Sequence, residues 1–269
     1  MAKTFRIQIK GLIRFSYLSE NGFSASKQGL AAMRATLYDP ARLDRRMRYF
    51  ETLALHSLSI QDDPNFSVAV LIGYSMPDKA RARIEALVAD FKQAHIVALP
   101  PMEHIKAVVA AYDALPAQPQ ANHVATFRLD DDDAMHRTAV GRIRAIAKGI
   151  LPMRETGNPF AIAFNRGFYL DTRNSKRLVR ERYEISPLGI GMALVARADD
   201  RATVFRRNHR KVAQYYDTYT EVRRPMFIRS VHDDNASGTP AMGRAGDMSD
   251  RRIARELRPL TQEAGLLLS

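Results

Sequence analysis

An α/β fold, with a mostly parallel central sheet covered by helices, is what the sequence predicts. Three observations carry that prediction. In the first half of the chain, short β-branched runs alternate with amphipathic stretches at helical spacing, the pattern of parallel strands joined through right-handed helical crossovers. The run Phe66 to Tyr74 (FSVAVLIGY) is apolar almost without a break, as a strand buried on both faces should be. Four consecutive aspartates, Asp130 to Asp133, follow the strand-like segment HVATFRL at once, at the carboxyl end where open α/β sheets place their ligands.

The elements follow in order. Thr4 to Tyr17 reads as a first strand ending near Arg14-Phe15-Ser16, and Ser19 to Gly29 as a flexible loop. Met47, Phe50, Leu53, Ala54 and Leu58 recur at spacings of three and four, which predicts a helix from Asp44 to Ser59, broken by Gln61-Asp62-Asp63-Pro64. After the Phe66 strand, Pro77-Asp78 starts a helix with Ile84, Leu87, Val88 and Phe91 on its apolar face. His95 to Leu99 makes a third strand, Met102 to Leu115 a third helix, and the stretch Val124 to Met135 (VATFRLDDDDAM) a fourth strand that ends in the acids. Beyond them a helix is expected from Met135 to Lys148, one aromatic strand from Pro159 to Tyr169, and a short helix within the polar segment Asp171 to Glu184. Ile190 to Arg197 and Ala202 to Phe205 read as a hairpin around Asp199-Asp200, Asn208 to Asp217 as helical, and Met226 to Val231 as a last strand delivering His232-Asp233-Asp234. Gly, Ser and Pro punctuate Asn235 to Ser249, which predicts a mobile linker. Asp250 to Ser269 reads as an amphipathic helix with Ile253, Leu257 and Leu260 on one side. The division that results is a single domain over residues 1–235 and a linker with its helix over 236–269.

At 269 residues and 46% hydrophobic, the chain can bury a full core. It has no Cys, which excludes disulfides, thiolate zinc sites and Cys nucleophiles and fits a reducing compartment. Arg6, Lys10 and Arg14 interrupt the amino-terminal apolar runs before a signal-peptide core can form, and no stretch approaches the length of a membrane span. The expectation is a cytoplasmic protein. A formal net charge of +12 attracts polyanions. The arginine pairs are interleaved with acids, however, and no helix-turn-helix, zinc-finger or aromatic RNA-binding signature is present, so no specific nucleic-acid partner is expected.

The aspartate run carries the chemistry. Four adjacent carboxylates repel one another, and a hard divalent cation relieves that repulsion; Mg²⁺ or Mn²⁺ typically bridges one or two carboxylates to substrate phosphates. A solvated acidic turn, or acids at a helix start, would satisfy the same residues. Transfer of a sugar from a nucleoside diphosphate needs positive charge on the leaving pyrophosphate. Two carboxylates spaced i, i+2 and a later imidazole meet that demand as Asp130, Asp132 and His232. Asp131, with the opposite spacing, is expected to reach toward sugar or ribose. His123 and His136 beside the run read as structural, and His209, in the basic segment RRNHRK, as a surface or helix-start residue. Asp199, Asp200, Asp233, Asp234 and Glu184 are all conceivable general bases, and no spacing chooses between them.

The segments RMRYFETLALHSLSIQDDPNF, SVAVLIGY and HVATFRLDDDDAM, in that order, resemble a glycosyltransferase of the GT-A type, and most closely the bacterial rhamnosyltransferase family. The motifs that carry the likeness are Arg14-Phe15, Ser57-Leu58-Ser59-Ile60-Gln61 and Arg128 to Asp133, within a resemblance spanning roughly residues 10 to 235. It implies a GT-A-like, Rossmann-type sandwich, a nucleotide-sugar donor at the carboxyl ends of the strands, and aspartates on Mn²⁺ or Mg²⁺. It also implies donor contacts from Arg14, Ser16 and Arg128, and a glycan or lipid-linked acceptor. His232 falls where such enzymes often carry a late metal-ligating His. Two other readings compete. A Mg²⁺-dependent phosphotransferase would use the same acids but lacks a Gly-Lys-Ser/Thr loop. A basic protein binding nucleic acid or anionic membrane without catalysis would leave them as a surface loop. For the carboxyl-terminal helix, with Arg251, Arg252, Arg255 and Arg258, a peripheral contact at the inner membrane face competes with packing on its own domain or a partner, the more economical expectation.

Overall fold

In the computed structural model of the chain, which describes residues 4–22, 29–154, 157–173, 178–233 and 243–257, the first half alternates as the pattern requires. It runs β1 (Ile7–Arg14), α1 (Leu30–Leu37), α2 (Pro40–Tyr49), α3 (His56–Ser59), β2 (Phe66–Gly73), α4 (Asp78–Val88), β3 (Ala94–Leu99), α5 (His104–Asp113) and β4 (His123–Asp130). A π-helical stretch, Phe50–Leu55, joins α2 to α3. The second half continues with β5 (Ala134–Met135), α6 (Ala139–Ile150), β6 (Phe160–Phe164), β7 (Arg166–Asp171), β8 (Leu178–Tyr183), β9 (Ala193–Arg197), β10 (Asp217–Glu221), β11 (Phe227–Val231), β12 (Arg244–Ala245) and α7 (Asp250–Leu257).

Seven strands form one sheet in the order β10-β6-β9-β4-β1-β2-β3. Strands β1 to β4 run parallel to their neighbours among themselves, and β9 enters antiparallel between β4 and β6. Every residue of β2 is buried, because helices cover both faces. One face packs Ile9, Ile13, Val70 and Phe127 against Met47, Phe50 and Leu58 of the α2–α3 run and against Val140 and Ile143 of α6. The other packs Leu12, Leu71 and Leu194 against Val108, Ala111 and Tyr112 of α5. This is the mostly parallel, helix-covered sheet expected from the sequence.

Several local expectations are corrected. The aromatic strand from Pro159 breaks at Asn165: β6 stays in the first sheet, while β7 belongs to a second sheet of order β12-β8-β7-β11-β5. Asn165 holds the break, its Nδ2 donating to the Glu184 carbonyl at 3.0 Å and its own carbonyl accepting from the Glu184 amide at 2.7 Å. Leu178–Tyr183 is a strand, not a helix, because it pairs antiparallel with β7 and turns Glu181 inward to Arg166. No hairpin forms around Asp199-Asp200. The apolar run of β9 is buried as a central strand with long-range partners, while Val204, outside any strand, donates its amide to Thr126 Oγ1. His209–Gln214 is a 3₁₀ segment that leads into β10. The expected linker lies outside the described residues over 234–242, as does Leu260. Arg244–Ala245 pairs with β8, and α7 buries Ile253 and Leu257 against Phe168, Leu170 and Ile228 of the second sheet. No helix among the described residues is long and apolar enough to cross a membrane.

Candidate functional site

The parallel register places the carboxyl ends of β1 and β4 side by side, with Arg14 directly opposite Asp130. Arg14 Nη2 donates to Asp130 Oδ1 at 3.2 Å, Arg128 Nη2 donates to the same oxygen at 3.4 Å, and Arg14 Nη1 lies 3.1 Å from His104 Nε2. Both guanidiniums sit near the Phe205 ring, at 5.3 and 4.8 Å from its centroid. A side chain at Gly189 would collide with the Arg128 guanidinium, so this glycine leaves room for it. Arg128 Nη1 lies 3.5 Å from His209 Nδ1. Burial and then the neighbouring guanidiniums push both imidazoles down, to about 3, so His104 and His209 are neutral near pH 7. Crowding by protein would raise Asp130, but Arg128 and Arg14 reverse that and hold it well below the usual carboxylate range.

The next three acids turn away from Arg14. Asp131 is gripped by Arg46, whose Nε donates to Oδ2 at 3.0 Å while Nη2 donates to Oδ1. Arg46 Nη1 donates to Asp132 Oδ2 at 2.6 Å, and His232 Nε2 stands 3.0 Å from that same oxygen. Tyr49, three residues after Arg46 and so on the same face of α2, stacks on the His232 ring at 4.5 Å and bonds through Oη to Thr172 Oγ1 at 2.9 Å. Burial would raise Asp132, yet Arg46 and His232 hold it below its ordinary value. Asp133 accepts the Ser230 amide at 3.1 Å; burial and the charges of Asp132 and Asp130 push its pKa well up. Deeper still, Tyr169 Oη donates to Glu184 Oε1 at 2.6 Å and receives Arg229 Nη1 at 3.1 Å.

Of the residues singled out in the sequence, the structure thus gathers Arg14, Arg128 and Asp130 into one ionic group, and Asp131, Asp132 and His232 into another. Asp130 and Asp132 face different partners. Ser16 follows Arg14 with a positive φ of 46°, a region rarely taken by non-glycine residues, and its Oγ accepts from Arg42 at 3.1 Å. Among the described residues no three His, Asp or Glu side chains form a ready-made metal cage. A divalent cation that also binds substrate phosphate needs only one or two protein ligands. The donor types at Asp132 and His232, a carboxylate and an imidazole in contact, meet that smaller demand. Sequence reasoning missed Arg46, Tyr49, His104, Phe205 and Gly189. Only Arg46 and Tyr49 left a signal, lying three apart in a segment of the family-like pattern. The Ser57 to Gln61 motif proves to be a backbone clasp just behind the acids: Met135 donates its amide to Ser57 Oγ, Gln61 Nε2 donates to the His136 carbonyl, and Gln61 Oε1 accepts from Val140.

A family model described as "Putative rhamnosyl transferase" matches residues 8–244. The chain belongs to that family. The match takes in both ionic groups and stops near the start of β12. Among curated proteins, none matches this member. Among solved structures, Staphylococcus aureus TarS residues 1–349 in complex with UDP-GlcNAc is similar, at 10% identity and a TM-score of 0.47, over 94% of this chain and 65% of that one. The same fragment in complex with UDP gives 10% identity and 0.46, over 94% and 64%, and a further TarS structure gives 11% and 0.45, over 83% and 37%. The family member therefore spans just under two thirds of the length of the first structures it resembles.

Proposed function

We propose that this protein moves a sugar, rhamnose on the family description, from a nucleoside-diphosphate donor to a hydroxyl of a glycan or lipid-linked acceptor. The observation that carries the reading is the convergence of two half-buried guanidiniums from one sheet and a carboxylate–imidazole pair whose imidazole comes from the other, in a chain of a glycosyl-transfer family. Arg14 and Arg128 offer positive charge to the donor phosphates, with Asp130 orienting their forks. Ser16, strained beside them, lies where the nucleotide would pass. Asp131 offers its remaining lone pairs to ribose or sugar hydroxyls. Asp132 and His232 would hold Mn²⁺ or Mg²⁺, with Asp130 the third residue of the expected set; the cation would neutralise the diphosphate as it leaves.

The test is thermal unfolding with UDP-, dTDP- and GDP-linked nucleotides, with and without Mn²⁺ or Mg²⁺. At least one nucleotide at a hundred times its dissociation constant should raise Tm by about 5–10 °C only when the metal is present. The rise should vanish in the Asp130→Asn/Asp132→Asn double variant and shrink in His232→Ala. No response to any nucleotide with either metal would sink the reading.

A further inference from the structure

Arg46 is the cation already present where the metal reading needs one. It is buried to 7% exposure and spans two neighbouring carboxylates at once, two bonds to Asp131 and one to Asp132 Oδ2. Burial would favour loss of its proton, but Asp131 and Asp132 outweigh that and hold its guanidinium firmly charged. The oxygen it reaches on Asp132 is the one facing His232 Nε2 at 3.0 Å. Two ligands at right angles on a hard octahedral cation, each at 2.0–2.1 Å, stand roughly 2.9 Å apart. The Asp132 and His232 atoms thus stand at a distance compatible with adjacent ligands once the hydrogen bond between them opens, and Arg46 Nη1 shares the same Asp132 oxygen. Tyr49 stacks on the imidazole from the same face of α2, so one helix face fastens both donors. A bidentate fork on Asp131 is the stronger hold, and the single bond to Asp132 is the one that can be released.

We propose that Arg46 is a positioning residue that serves as a resident counter-cation. It offsets part of the negative charge of the Asp131–Asp132 pair while no donor is bound, and yields Asp132 Oδ2, staying clamped on Asp131, when a divalent cation arrives with the donor. This inference rests on the donor-site reading above. It makes metal affinity in the nucleotide-free protein low because Arg46 occupies the site, and not because ligands are lacking.

The experiment is a Mn²⁺ titration followed by electron paramagnetic resonance on the full chain, comparing the unsubstituted protein with Arg46→Met and Arg46→Lys, each with and without a nucleoside diphosphate. Arg46→Met should bind Mn²⁺ without nucleotide at least tenfold more tightly than the unsubstituted protein, and Mn²⁺ should restore its lowered Tm. Arg46→Lys, whose point charge cannot span both carboxylates, should show a smaller gain of at least threefold and decides the matter if Arg46→Met does not fold. A purely structural arginine would leave Mn²⁺ affinity unchanged or weakened in the folded variants, which would overturn the inference. If the unsubstituted protein binds Mn²⁺ with nucleotide while neither variant gains, the inference falls and the donor-site reading stands. If no protein binds Mn²⁺ with any nucleotide, both fall.

Discussion

Asp130 to Asp133 are four identical residues in a row, yet each carboxyl meets a different environment. Asp130 faces Arg14 and Arg128, Asp131 is forked by Arg46, Asp132 is shared between Arg46 and His232, and Asp133 caps the Ser230 amide. Charge pairing is thus resolved residue by residue within one turn of chain. His104 and His209 extend the same logic. Their folded pKa values, about 3, lie below the ordinary value of 6.5, so between those limits the unfolded chain binds more protons than the folded one. The stability tied to their neutral form is complete above pH 6.5 and is lost as pH falls toward 3. Chemical denaturation at several pH values should show unfolding free energy falling through that window. The His104→Gln/His209→Gln variant should fall less steeply, and an identical slope would refute this assignment.

Among elements, the contact between β1 and β4 is a tight constraint. Gly11 pairs with Phe127 in the parallel register, and a Cβ at Gly11 would overlap the Phe127 ring. The ring fills the space that any other residue would need. Gly11→Ala should cost about 1–3 kcal/mol by overpacking, read as a lower urea midpoint with an unchanged m-value; an unaltered midpoint would contradict the packing. The α2–α3 run is organised by its π-helical stretch, which turns Phe50 and Ala54 to the first sheet and Leu53 to the second. Helical stretches of this kind are often found at functional sites, and here it begins directly after Tyr49.

The whole molecule brings two sheets to one place. The first supplies Arg14 and the acids from the carboxyl ends of β1 and β4, and the second supplies His232 from the carboxyl end of β11. The second sheet in turn is covered by α7, whose apolar side is used up on it. Arg251, Arg252 and Arg255 remain exposed on the other side, so among the described residues of α7 an anionic surface would meet charge alone. Leu257, at 1% exposure, should cost about 2–5 kcal/mol when replaced by Ala. Thermal unfolding reads that loss, with pelleting on anionic vesicles expected to stay the same. A variant with unchanged stability and reduced pelleting would show that α7 works as a membrane contact.

By itself the sequence determined the alternation that builds the parallel sheet, the buried character of β2, and the placing of the acids at a strand end, because these follow from local periodicity and strand polarity. It could not divide the apolar run at Asn165 between two sheets, or tell a central strand at Ala193–Arg197 from half of a hairpin. Both depend on partners distant in the chain, and period-two patterning is blind to which strand lies alongside. Nor could it pair the acids. Asp130 and Asp132 share a spacing, but only the tertiary structure brings Arg14 and Arg128 to one and Arg46 with His232 to the other, since a buried carboxylate takes its character from the nearest opposite charge, however far away that charge lies in sequence.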